Sequence, residues 1–105
     1  MRAKKKAIVE LATALIAGSI PFLTGIRGLN ALQREVVEHD DDKDFTLFVV
    51  IDSETDHLPS TEMRQSCSKS WLKTADKEMD EVNNHYNEQV LAACLKLVSR
   101  FDVHA

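Results

Sequence analysis

Apolar residues recur along the chain in four stretches, and their spacing sets the elements to expect. In the first, Ile8, Leu11, Ala12 and Leu15, continued by Ser19, repeat at intervals of three and four. That spacing predicts an amphipathic helix over residues 3–17 that must pack on something. Gly18 and then Pro21 mark its end, because glycine is favoured just past a helix and proline cannot continue one. A second helix is expected to begin near Ser19, with Pro21 in its first turn, and to run to about Val37. Gly25 and Gly28 fall inside it. Each costs about 1 kcal/mol relative to alanine in a helix, and their presence predicts a small-residue face in close contact with the first or the last helix.

The third stretch, residues 45–51 (Phe-Thr-Leu-Phe-Val-Val-Ile), is rich in β-branched residues, and periodicity alone does not separate a buried strand from a buried helix. The rest of the chain offers no partner strand, and a lone strand would leave its backbone groups unpaired. A short helix or an irregular buried segment is therefore expected. Residues 58–74 carry Pro59, four serines and two threonines and read as a long connection, with one helical turn near Trp71 anchoring it. The fourth stretch is the clearest helix, over about 76–101, where Met79, Val82, Tyr86, Val90, Ala93, Leu97 and Phe101 recur at three and four. Asp76, Glu78, Asp80 and Glu81 lie near its positive end, and at 1.5 Å per residue it spans about 39 Å. The expected architecture is an all-α single domain, residues 1–105, of about four helices. Its long C-terminal helix packs against the two N-terminal ones.

Composition supports one modest core. A chain of 105 residues, 44% hydrophobic and 29% charged, has the balance of a globular protein, and a domain of that size buries roughly 65% of its unfolded surface. The net charge of −4 opposes nucleic-acid binding. The one dense basic run, Arg2 with Lys4, Lys5 and Lys6, precedes an apolar stretch in the manner of a signal peptide, but Glu10 interrupts that stretch and the helical spacing favours a mature helix. Cys67 and Cys94 are too few for a disulfide framework or a zinc cluster, and a reducing, cytoplasmic setting fits both. Cys94 reads as a small buried hydrophobe and Cys67, among serines, as exposed. No membrane association is expected.

Candidate chemistry gathers in residues 51–59 (Ile-Asp-Ser-Glu-Thr-Asp-His-Leu-Pro). Asp52, Glu54, Asp56 and His57 place three carboxylates and an imidazole within six residues. An EF-hand is excluded: counted from Asp52, the sixth position is His57 where glycine is needed and the twelfth is Met63 where a bidentate glutamate is needed. Glu54 and His57 match the Glu-x-x-His spacing of di-iron bundles, but no second such motif exists, so a complete site would require a homodimer supplying both halves. The competing reading is structural. Ser53 and Thr55 suit turns and caps, Asp52 and Asp56 can accept backbone amides, and His57 can pair with a carboxylate or a carbonyl, making the segment a polar knot. This structural reading outweighs catalysis.

Residues 22–32 resemble a helix-hairpin-helix turn, but two residues separate Gly25 from Gly28 where that family has one, so DNA binding is not expected. Glu38, Asp40, Asp41, Asp42 and Asp44 put five acidic residues in a run of seven and form a candidate surface for a basic protein partner. No glycine-framed nucleophile turn or identifiable base supports nucleophilic catalysis.

Gly18, Gly25-Ile26-Arg27-Gly28-Leu29, the run from Phe48 through Ser53-Glu54-Thr55-Asp56-His57-Leu58-Pro59, Arg64, Trp71 and Ala93-Cys94 together resemble a family of small uncharacterised bacterial proteins, a domain of unknown function. Ser-Glu-Thr-Asp-His-Leu-Pro is its signature, and the spacing between Arg64 and Trp71 is where this chain departs from it. The resemblance implies a bacterial cytosolic protein and implies no activity, substrate or cofactor. The expected function is that of a small accessory or protein-binding protein, inhibitor-like or immunity-like, with an acidic interaction surface and no cofactor. The alternative is a metal-dependent enzyme or sensor using Asp52, Glu54, Asp56 and His57.

Overall fold

The computed structural model describes residues 2–36, 43–60 and 62–101, which form four α-helices and one 3-10 turn and contain no strand. Helix α1 (Arg2–Ala17) buries Ile8, Ala12 and Leu15, the face its spacing predicts. It ends in two reversed bonds: the Gly18 amide donates to the Leu15 carbonyl (3.2 Å) and the Ser19 amide to the Ala14 carbonyl (3.0 Å). This arrangement needs a left-handed residue, and Gly18 supplies it at φ +70°.

Helix α2 (Phe22–Val36) starts one residue past Pro21, not near Ser19. The Pro21 carbonyl accepts the Gly25 amide (3.2 Å), so the proline stands just ahead of the first turn. Both glycines stay helical, and the helix they meet is α1. A Cβ on Gly25 would lie 2.5 Å from Leu15 side-chain carbons, and one on Gly28 would lie 2.9 Å from the Leu11 Cδ1. Real Cβ atoms do not approach that closely, so the missing side chains set the distance between α1 and α2.

Of residues 45–51, all but Phe45 enter a helix, as the lack of a partner strand requires. Helix α3 (Thr46–Glu54) buries Phe48 and Ile51, and Phe45 just before it is fully buried. The Phe45 ring meets Phe48 edge-on at 6.3 Å and Phe101 at 6.1 Å. The last helix, α4 (Lys69–Phe101), begins seven residues before the expected 76. The Ser68 hydroxyl accepts the Trp71 amide (3.1 Å), an N-cap that starts the helix inside the serine-rich stretch expected to be a connection. What remains of that connection holds a 3-10 turn (Met63–Ser66). Trp71 anchors nothing deeply, being 37% exposed within the first turns of α4.

The four helices close a ring in which α1 packs on α4 and α2, and α3 packs on α2 and α4. The C-terminal helix therefore rests mainly on α1 and then on α3, and not on both N-terminal helices as the sequence suggests. At 33 residues α4 has a nominal length of about 50 Å, comparable with the long dimension of a molecule measuring 46 × 24 × 24 Å. Its C-terminal part buries Val90, Cys94, Leu97 and Phe101, and from residue 76 to 89 the predicted apolar face, Met79, Val82 and Tyr86, packs on the core while remaining half-buried. No helix among the described residues is long and apolar enough to cross a membrane.

Candidate functional site

Two features stand out: the polar segment at the end of α3, and a cleft beyond it. Asp52 lies on the side of α3 that faces α2, where its Oδ2 accepts the Asn30 amide (2.7 Å) and its Oδ1 lies 3.8 Å from the Arg27 Nε. The Arg27 Nη2 donates to the carbonyls of Thr55 (2.7 Å) and Leu58 (3.0 Å). These carbonyls follow the last turn of α3, where helical partners run out and the dipole is negative, so a guanidinium satisfies both demands. The buried Thr55 hydroxyl donates to the Ile51 carbonyl (2.7 Å).

The other members of the cluster turn toward α4. The Tyr86 hydroxyl donates to the Glu54 Oε2 (2.8 Å), and this carboxylate raises the phenol's pKa by holding its proton. His57 Nε2 and Glu78 Oε1 lie 2.8 Å apart. Asp56 is exposed. A helix turns about 100° per residue, so Asp52 and Glu54, two apart, point to different neighbours. Among the described residues no group of three or more His, Cys, Asp or Glu is arranged to hold a metal ion. The donors that Asp52 takes also differ from those expected, being side chains of α2 and not backbone amides.

The acidic run lies mostly outside the described residues, which applies to Glu38, Asp40, Asp41 and Asp42. Asp44 is described and pairs with Arg100 (2.8 Å), whose guanidinium also lies 4.7 Å over the Phe101 ring. Gly25-Ile26-Arg27-Gly28 sits within α2 and against α1, so no helix-hairpin-helix turn forms there. Cys94 is buried, with its thiol pushed up to about 11 by desolvation, and Cys67 is half-buried and not fully exposed.

Beyond the end of α3 a cleft of about 700 Å³ opens between the start of α2, the connection after Pro59 and the middle of α4. Its apolar lining comes from Pro21, Phe22, Leu23, Pro59 and Met79, and its charged groups are Arg27, Arg64 and Glu62. Arg64 grips Asp76 with two nitrogens (2.7 and 3.1 Å), a pairing that holds the Asp76 carboxyl below its ordinary range. Sequence reasoning did not find Arg27, Asn30 or the cleft, because their partners lie 22–31 residues away. Compared with family models, curated proteins and solved structures, the chain matches none.

Proposed function

We propose that this chain is a small accessory protein of the bacterial cytosol that binds a basic protein partner through acidic surface. The observation that carries this reading is the stretch of α4 from residue 76 to 89. It holds five carboxylates against one lysine, and while Met79, Val82 and Tyr86 pack half-buried on the core, its other side carries the exposed charge. Asp76 and Glu78 are engaged by Arg64 and His57, while Asp80, Glu81 and Glu88 are exposed. Glu81 and Glu88, seven apart, share one helical face. An acidic face of this kind speeds encounter with a basic partner and does so less as salt screens it. The acidic run at residues 38–44 adds charge of the same sign, and the Ser-Glu-Thr-Asp-His-Leu-Pro segment supports the bacterial assignment.

The test is affinity capture from a bacterial lysate with the native chain and with a variant carrying Asp80→Lys, Glu81→Lys and Glu88→Lys. Basic proteins are expected to be retained at low and moderate salt by the native chain and lost by the variant. No captured partner at either salt, or equal capture by the variant, would overturn the proposal.

A further inference from the structure

The third helix accompanies α4 for only part of its length. Asp44 meets Arg100 at one end of the pair and Glu54 meets Tyr86 at the other, so α3 stops level with Tyr86. Residues 69–85 of α4 continue for about 25 Å past that point. Within residues 69–78 only Ala75 is buried, so apolar packing holds this arm weakly. Two contacts from the connection fasten it. Arg64 grips Asp76 with two nitrogens (2.7 and 3.1 Å), and His57 Nε2 lies 2.8 Å from Glu78.

Each of these carboxylates has an exposed acidic neighbour one turn on. Asp80 follows Asp76 by four residues and Glu81 follows Glu78 by three, the spacings at which helical side chains stand together. Lys73 and Lys77 of the same helix are exposed, and the cation that grips Asp76 comes instead from the connection. A guanidinium fork on a carboxylate is also the contact that a basic partner makes. A partner that reaches Asp80 must displace Arg64 to engage Asp76 as well. Exposed ion pairs are weak, so a partner carrying several charges can do this. On the reading that this surface binds a basic partner, we infer that the Arg64–Asp76 contact is autoinhibitory: Arg64 occupies the carboxylate as an internal competitor, and binding exchanges it for a cation of the partner.

A double-mutant cycle tests this, read by calorimetric titration of the full chain with an octalysine peptide. The titration is run at about 0.1 M salt, where exposed charges more than about 10 Å apart are largely screened. Arg64→Gln is expected to tighten octalysine about threefold, the worth of a good exposed ion pair. Asp76→Asn is expected to weaken binding about threefold in the Arg64→Gln background and to change it much less when Arg64 is present. Independent charges would give Asp76→Asn the same effect in both backgrounds. Neither position is buried, and each variant is expected to keep its helical circular dichroism. Unchanged or weaker binding in Arg64→Gln, or equal effects of Asp76→Asn in the two backgrounds, would overturn the competitor role and leave the acidic surface standing. Absence of octalysine binding by every form would overturn both.

Discussion

Arg27 ties α2 to the end of α3. It donates to the Thr55 and Leu58 carbonyls and stands beside Asp52, so its removal leaves the Leu58 carbonyl without its side-chain donor, the Thr55 carbonyl with only the Leu58 amide (2.9 Å) and Asp52 with Asn30 but no cation. Arg27→Ala is expected to lower unfolding free energy by about 2–3 kcal/mol in urea titration, the range for a charged hydrogen-bonding group with partly buried partners. A loss below about 0.5 kcal/mol, typical of surface positions, would contradict that role. The two cysteines give a second test at this scale. With its pKa pushed up to about 11 and its side chain buried, Cys94 is protonated and shielded at pH 8, whereas Cys67 is half-buried and hydrogen-bonded only to the Met63 carbonyl (3.4 Å). A thiol reagent at that pH should modify one cysteine quickly, and the second only after unfolding.

At the scale of elements, the helix pair α1 and α2 is set by what Gly25 and Gly28 lack. A methyl on Gly25 meets the branched end of Leu15 from Cγ outward at 2.5 Å, whereas one on Gly28 meets chiefly a single terminal carbon of Leu11 at 2.9 Å. Gly25→Ala should therefore cost about 1–3 kcal/mol, since overpacking outweighs alanine's helical advantage, and Gly28→Ala should cost less. Equal midpoints in chemical denaturation would contradict the ordering. This contact was legible in the sequence because two glycines three apart weaken a helix, a cost that close approach of a neighbouring helix offsets. The start of α4 was not: Ser68 and its serine neighbours read equally as loop residues, and only the Trp71 amide donating to the Ser68 hydroxyl distinguishes a cap from a linker. Residues 45–51 were resolved by elimination, since the helix follows from the missing partner strand and not from periodicity.

At the scale of the whole molecule, the short third helix links the two features of the site. It ends at Glu54, and the residues that follow are tied to α2 through Arg27 and to α4 through Glu54–Tyr86 and His57–Glu78, leaving the cleft beyond. The sequence showed that Asp52, Glu54, Asp56 and His57 were chemically dense. It did not show that two of the carboxylates and the imidazole are directed to different helices, because that depends on partners supplied by distant residues. The central claim is that this segment ties the fold together, and unfolding with and without divalent metal tests it most directly. Thermal midpoints of the native chain in chelator, Mn²⁺ and Zn²⁺ are predicted to coincide, while Asp52→Ala lowers stability by about 1–3 kcal/mol under all three conditions. A midpoint raised by either cation, with the increase lost in Glu54→Gln or His57→Gln, would contradict the account.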